Sequence, residues 1–594
     1  MAVGYSRQSA AFWSTLLRLH CIFTLLHTVV STPPEDPVKC VSGNTDCTVI
    51  NAAGVFPDRS TCRAGNVAYP TTEAELISIV AAATKAGRKM RVTTRYSHSN
   101  PKLVCTDGSD GLLISTKLLN HTVRVDAKAM TLTVESGMLL RELIAEAAKV
   151  GLALPNGPYW WGLTVGGMMG TGAHGSTLWG EGSALHDYVS DIRMVSPGSV
   201  NDGFVKVRVL SETRTPNEFN AAKVSIGVLG VISQVTFKLQ PMFKRSITYV
   251  MGNDSDLGDE AETFGKKHEF ADITWLPSQG KVVYRKDDRV AVNTSGNGLF
   301  DLFSLRSHLS KEGAIRKSTE ETQEALRDAD GKCATAKLMS TSELGTSYGL
   351  TNDGVKFTGY PVTGSQNRLM SSGSCLDSPE DGLITACPWD SRLNPIIAYQ
   401  TAVSVPLTQV KSFINDIKSL VKIEPRSLCG LELFGGIQMR YVTSSPAYLG
   451  KEAEAIAFDI TYYRASNPLT PRLYEDFIEE IEQIALFKYN SLPHWGKNRN
   501  LVFDGVIKKY KNADAFLKVK ERYDPTGLFS SEWTDQILGI KGHTTIIKDG
   551  CALEGLCICS EDAHCAPAKG YVCRPGKIYK EARVCTYANG ISVI

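Results

Sequence analysis

The sequence predicts an α+β protein in which helices pack on sheets, divided into more than one domain and closed by a small cysteine-rich C-terminal module. Three observations predict it. Period-two and helical hydrophobic patterns alternate over residues 72–149. Strand patterns return after residue 395 together with an amphipathic helix. Cys551, Cys557, Cys559, Cys565, Cys573 and Cys585 crowd together near the C-terminus. At 594 residues the chain also exceeds what one core serves, since single cores stop growing at roughly 250–300 residues.

Taken in order, Cys40, Cys47 and Cys62 lie in a Gly/Asn/Asp-rich stretch and read as a disulfide-tied lead-in. Thr72-Glu73-Ala74-Glu75 is a capping box, followed by Leu76, Ile77, Val80 and Ala83 on one helical face and Gly87 as the stop. A strand is expected over 89–94, another over 130–134, a helix over 139–149, and a buried strand with a glycine-rich approach over 227–237, where a first domain closes. Residues 250–390 are weakly patterned, with a charged, Ser-rich section around 305–332. Strands are expected over 398–405, 436–442 and 457–463. A helix is expected to begin at Thr470-Pro471, as N-cap and N1 proline, and to carry Leu473, Phe477, Ile481 and Ile484. The final module has little apolar core and reads as separate. Its cysteines suit disulfides of open connectivity, with zinc as the competing reading.

The charge balance, 64 Lys+Arg against 62 Asp+Glu, carries no footprint for a nucleic-acid backbone or an anionic membrane, so a partner is expected in a pocket. Arg7 and Arg18 precede an apolar run over 21–30 that ends at Ser31, ahead of Pro33-Pro34. This is the outline of a signal peptide over residues 1–31, too short for a bilayer span of roughly 20 apolar residues. A membrane anchor, the other reading, is interrupted by Arg18 and His20. Of 15 cysteines, loss of Cys21 leaves an even number, which fits an oxidising compartment. Sequons stand at Asn120, Asn253 and Asn293. A secreted, soluble glycoprotein is expected, with a vacuolar or other endomembrane location also open.

The most informative segment is 163–176, Leu-Thr-Val-Gly-Gly-Met-Met-Gly-Thr-Gly-Ala-His-Gly-Ser. Glycines at 166, 167, 170, 172 and 175, interleaved with small side chains, let backbone N–H groups approach a ligand closely. The segment lacks the Gly-Lys-Ser/Thr ending of a phosphate-binding Walker loop and does not match the dinucleotide fingerprint. By composition alone it also reads as a flexible turn cluster. Thr164, Gly166-Gly167 and Thr171-Gly172-Ala173-His174-Gly175 resemble the Thr-x-Gly-Gly…Thr-Gly-x-His-Gly pattern of flavoproteins with the vanillyl-alcohol oxidase fold. Val228-Leu229-Gly230-Val231-Ile232 resembles the second flavin-contacting element of that fold, and 522–529 its Arg-x-Asp-Pro-x-Gly-x-Phe ending. Within the fold the chain resembles the aldonolactone oxidoreductases, and among them the plant L-gulonolactone oxidases, on two further motifs: Arg95-Tyr96-Ser97-His98-Ser99, where the group has Gly-x-Gly-His-Ser, and Pro493-His494-Trp495-Gly496-Lys497.

The resemblance implies a PCMH-type FAD-binding domain over 62–245, an α+β cap or substrate domain with a large antiparallel sheet over 246–540, and the disulfide module over 551–585. It implies FAD contacts from Thr94, Arg95, Tyr96, Ser97, His98 and Ser99, from Thr164, Gly166, Gly167, Gly170, Thr171, Gly172, Ala173, His174 and Gly175, and from Gly230, Val231 and Ile232. His98 matches the histidine bonded to the flavin 8α carbon, although Arg95 and Ser97 replace glycines. It implies substrate chemistry at Gln438, Arg440, Asp459, Thr461, His494 and Lys497. Gln438-Met439-Arg440 falls where the family has Glu-x-Arg, two residues on one strand face. An amide hydrogen-bonds a hydroxyl but cannot take its proton, so general-base help at 438 is lost, and Asp459 is a substitute unless it is merely solvated at a strand edge. Trp495 reads as core, with Lys497 either at the flavin or exposed. The implied reaction oxidises a sugar lactone at C2, giving ascorbate, with O2 reduced to H2O2. A dehydrogenase (Ala173 restricting oxygen), an oxidase of another carbohydrate or alditol, and a secreted binding protein without turnover are the alternatives.

Overall fold

A computed structural model describes residues 36–49, 59–96, 101–306, 310–377, 387, 398–463, 465 and 467–588. The expected signal peptide and Ser97, His98 and Ser99 lie outside the described residues. Among those described, no helix is long and apolar enough to cross a membrane.

The N-terminal half is built on two five-stranded sheets. In the first, Cys62–Ala68 and Met90–Thr93 run parallel to Leu112–Ser115. The helix Glu73–Lys85 covers it with Leu76, Val80 and Ala83. Only half of the expected capping box forms: Thr72 Oγ1 accepts the Glu75 N–H at 3.2 Å, but the Glu75 carboxylate turns back one residue further, to the Thr71 N–H at 2.8 Å. The second sheet is antiparallel, with Val231–Lys238 between Val189–Pro197 and Thr131–Glu135. The chain returns to this half through the 522–529 motif, whose Asp524 accepts the N–H groups of Leu528 and Phe529 at 2.8 and 2.7 Å. The fully buried Arg91 guanidinium donates to the carbonyls of Phe529, Leu103, Ile226 and Gly227, so the motif works as a structural clasp.

The rest is organised on an eight-stranded antiparallel sheet in the order Val362–Ser365, Lys244–Asn253, Lys281–Val290, Asp272–Leu276, Ile437–Val442, Ala455–Tyr463, Ala398–Pro406, Leu492–Pro493. One face is apolar: Ile273, Trp275, Ile437, Met439, Phe458 and Ile460 join the main core with the helices Leu257–Lys267 and Val410–Ile423. The opposite face is polar. Arg285, Asp272 and Arg440 form one row across neighbouring strands, and Thr274, Gln438 and Asp459 form the next.

That polar face corrects the reading of 250–390 as weakly patterned. The segment contains two central strands and the helices Ser310–Leu326 and Ala329–Gly345. Their pattern is blurred because charges point inward: Arg245 and Arg285 pair with buried Asp287, and Glu320 and Glu324 pair with Lys332 and Arg472. The same network moves the expected helix start. Arg472 turns inward, the Leu473 N–H is taken by Glu324 at 2.9 Å, and Tyr474 adopts φ +58°, so the helix runs Glu475–Gln483 instead of from Thr470-Pro471.

Seven disulfides pair every described cysteine: Cys40–Cys47, Cys62–Cys105, Cys333–Cys429, Cys375–Cys387, Cys551–Cys557, Cys559–Cys573 and Cys565–Cys585. The C-terminal module is not separate, contrary to its sequence reading. It docks on Glu475–Gln483, whose acidic side chains are all buried. Burial raises Glu475 from 4.5 to about 7 and Glu479 well above its ordinary range. A carboxyl with a raised folded pKa adds stability that is full below the unfolded value and is lost as pH rises through the folded one. Thermal stability is therefore expected to fall between about pH 5 and pH 8, and Glu475→Gln to recover on the order of 2 kcal/mol at the alkaline end. Calorimetry across that range checks it; a flat profile for the parent protein sinks the expectation.

Candidate active site

The glycine-rich loop takes its shape from short-range bonds. Thr164 Oγ1 accepts the Gly167 N–H at 3.2 Å and caps the helix Val165–Thr171, and Gly172 ends it at φ +65°. Gly175 must be glycine, since a Cβ would lie 2.2 Å from Asn156 Oδ1; at Gly230, φ +126° and a Cβ 2.4 Å from the Val195 carbonyl impose the same. Gly166 and Gly167 pack at Ser136 and Thr94, while Gly170 faces open space. Ala173 is buried, and Val231 and Ile232 are core residues. Thr94 Oγ1 bonds the Tyr96 carbonyl at 3.0 Å; Tyr96 is buried, and Arg95 pairs with Glu142 at 3.1 Å.

His174 Nδ1 donates to the Gly175 carbonyl at 2.9 Å, which leaves Nε2 as a buried lone pair without a protein partner. The Ser136 hydroxyl, the Asn156 amide nitrogen and the Tyr96 hydroxyl are likewise buried and unpartnered. Each such group costs roughly 1–3 kcal/mol unless something bonds it. Unmet donors and acceptors around a glycine cradle fit a large polar cofactor such as FAD.

This loop abuts the polar sheet face. The Thr177 N–H donates to the Tyr441 carbonyl at 3.1 Å, and Ser176 Oγ accepts the Tyr441 N–H at 2.9 Å. Next along that strand, Arg440 Nη2 meets Asp459 Oδ2 at 2.6 Å, and Lys497 Nζ reaches the same oxygen at 3.3 Å. Asp459 Oδ1 and Arg440 Nε are buried without a protein partner. Asp459 is thus not the solvated edge residue of one reading: its strand is interior to the sheet, and its carboxylate lies between two cations. Gln438, opposite Asp459, donates to the Gly435 carbonyl at 3.2 Å and accepts from Thr274 at 3.1 Å. Thr461 is half-buried two residues further along the same strand face.

His494 accepts the Gly496 N–H on Nδ1 at 3.0 Å, and its ring centroid lies 5.4 Å from that of His174. Burial, reinforced by neighbouring cations, holds both rings well below the usual histidine range, so both are neutral. Trp495 is core as expected, donating to the Leu449 carbonyl at 3.0 Å beside Phe503 and Tyr510. Lys497 is not exposed, and burial lowers its pKa although Asp459 opposes the shift.

Sequence reasoning missed two contributors. Asp272 stands opposite Arg440, receives the Tyr159 hydroxyl, and meets Arg285 at 3.4 Å. A lone aspartate in the apolar run Ile273-Thr274-Trp275-Leu276 was the available signal. Lys451 Nζ donates to the carbonyls of Leu492 and Pro493 at 3.1 and 2.9 Å, fixing the approach to His494, and burial lowers it to about 7. No local pattern marks it.

Three family comparisons match in chain order: an FAD binding domain over residues 64–199, D-arabinono-1,4-lactone oxidase over 398–537, and the C-terminal domain of L-gulonolactone oxidase 2-like proteins over 548–587. L-gulonolactone oxidase 5 of Arabidopsis thaliana is 79% identical across 99% of this chain and 100% of its own length. L-gulonolactone oxidase 2 of the same plant is 78% identical across 98% of each. Among solved structures, a solvent-stable cholesterol oxidase superposes with a TM-score of 0.64 at 16% identity, spanning 86% of this chain and all of that one, a likeness of fold.

Proposed function

The chain belongs to the L-gulonolactone oxidase family, and from that premise we propose that it oxidises an aldono-1,4-lactone such as L-gulono-1,4-lactone at C2, yielding ascorbate, with O2 reduced to H2O2. The observation that carries the reading is the Arg440–Asp459–Lys497 cluster on the polar sheet face beside the glycine loop. Arg440 and Lys497 hold the lactone oxygens and the negative charge that develops during oxidation. Asp459 Oδ1, free of protein partners, takes the C2 hydroxyl proton in place of the carboxylate that Gln438 lacks. Gln438 and Thr461 orient hydroxyls, and neutral His494 holds the turn that carries Lys497. FAD, when bound by residues 94–99, 164–175 and 230–232, supplies the hydride acceptor.

Anaerobic addition of L-gulono-1,4-lactone to purified protein is expected to bleach the flavin absorbance, and air to restore it with formation of H2O2 and ascorbate. Colourless protein, or flavin that no lactone bleaches, rejects the activity. Alditols and other sugars in the same assay separate the neighbouring specificities, and cytochrome c in place of oxygen tests the dehydrogenase alternative. The rate should decline as pH rises through the lowered Lys497 pKa, because the ammonium is the working form. Lys497→Arg, whose guanidinium stays charged, moves that limb to higher pH. An unmoved limb in a kcat/KM profile assigns it to another group.

The covalent link between FAD and His98 belongs to the same reading, supported by the sequence motif alone. Acid-precipitated protein should retain flavin fluorescence and His98→Ala should release it. Secretion is proposed on the paired cysteines, the apolar segment 21–30 and exposed sequon asparagines Asn253 and Asn293. A glycosidase-sensitive mass shift in protein collected from the medium tests it.

A further inference from the structure

The polar sheet face has a second wall. The helix Ala329–Gly345 is tied by Cys333–Cys429 to the short helix Cys429–Glu432, which leads through Gly435 and Gly436 into the Ile437–Val442 strand. This tether brings Glu343 over the start of that strand. A Cβ on Gly435, at φ +88°, would lie 3.7 and 4.0 Å from the two Glu343 carboxylate oxygens and 3.9 Å from Gln438 Nε2, so both side chains border one small space. Glu343 is 7% exposed, and Arg316 meets one of its oxygens at 3.1 Å. Five residues on, Tyr348 is held at φ +51°, a conformation uncommon for an aromatic residue. Its ring packs 4.9 Å from that of Tyr249. Tyr348 is also 7% exposed, and its hydroxyl has no partner.

The strand gives the direction. Its Tyr441 end is bonded to the glycine loop, and its Gly435 end is the far one. Arg440 and Gln438 share a face roughly 7 Å apart along the strand. With the reacting C2 at Arg440 and Asp459, the remainder of a six-carbon lactone extends past Gln438 toward Glu343 and Tyr348. A carboxylate beside a phenol complements a vicinal diol, whose two hydroxyls both donate and accept.

We propose that Glu343 and Tyr348 form a distal subsite that binds the exocyclic hydroxyls of the aldonolactone and so selects which lactone is used. The proposal rests on the lactone-oxidising activity put forward above and adds the residues that set specificity. Burial and the nearby carboxylate keep the Tyr348 hydroxyl protonated, so it remains a donor throughout the physiological range.

The test compares L-gulono-1,4-lactone with 2-hydroxy-γ-butyrolactone, which keeps the reacting hydroxyl but has no exocyclic chain, in flavin-loaded wild type, Glu343→Gln and Tyr348→Phe. Both substitutions conserve volume. Each should raise KM for the six-carbon lactone about tenfold, leave kcat within about twofold, and leave the competition constant of 2-hydroxy-γ-butyrolactone unchanged. Equal weakening for both ligands, no weakening for either, or a fall in kcat alone overturns the subsite. Wild type that no aldonolactone reduces overturns the proposed activity, and the subsite with it. Active wild type with indifferent variants overturns the subsite alone.

Discussion

Arg440→Ala is expected to lower the rate constant for flavin reduction by an aldonolactone about a thousandfold, the scale seen when a group aimed at developing charge is removed from a water-poor site. Two effects add. The substitution deletes the cation beside the reacting oxygens, and it leaves Asp459 balanced by Lys497 alone, at 3.3 Å, where it had Arg440 at 2.6 Å. Arg440→Lys should recover little. The guanidinium holds Asp459 through Nη2 while Nε has no protein partner, so a planar group serves two sites at once and a point charge reaches one. Anaerobic rapid mixing isolates this step from reoxidation. A loss below about tenfold would place the developing charge elsewhere in the site.

Glu480→Ala is expected to cost about 4 kcal/mol and to release the C-terminal module. The Glu480 side chain is fully buried and accepts three consecutive backbone N–H groups, those of Lys577, Ile578 and Tyr579, at 2.6, 2.8 and 2.8 Å. Hydrogen bonds to a charged acceptor are worth roughly 1.5–3 kcal/mol each, and part of that returns when the freed amides reach water. Nearby contacts cannot replace it: Glu479 is already engaged with the Cys585 N–H, and Gln483 holds both the N–H and the carbonyl of Arg583. The disulfides of the module stay closed, so the loss should appear as rapid proteolysis near residue 550 under non-reducing conditions, with a lower unfolding temperature. Glu480→Gln, which keeps an acceptor, should lose less. A resistant Glu480→Ala variant would show that the other docking contacts, those of Glu479 with Cys585 and Gln483 with Arg583, suffice to hold the module in place.

The candidate site was legible where the chemistry is local. The glycine loop at 164–175 was legible through its match to the flavoprotein pattern, since its composition alone also reads as a turn cluster, and Gln438 and Arg440 could be placed on one face because strand periodicity is two. The helix pair over 310–345 was not legible. Its inward side chains, Glu320, Lys332 and Glu343, are charged, and each is satisfied by a partner distant in sequence: Arg472 for Glu320, Glu320 itself for Lys332, Arg316 for Glu343. A periodicity of hydrophobic residues cannot report a face that is buried through ion pairs.

By itself, then, the sequence determined the class of fold, the glycine cradle, the disulfide chemistry of the cysteines and the family, because each depends on residue type at short spacing. The tertiary structure decided three further points. Asp459 is clamped between Arg440 and Lys497 instead of solvated, since its strand is central to the sheet. The cysteine module is docked instead of separate, since the acidic residues of one helix find their donors about 100 residues later. Glu343 stands beside Gln438, since a disulfide spanning 96 residues carries a helix over the sheet. In each case the deciding partner is far along the chain, and the free energy of a buried charge depends on that partner more than on its own neighbours in sequence.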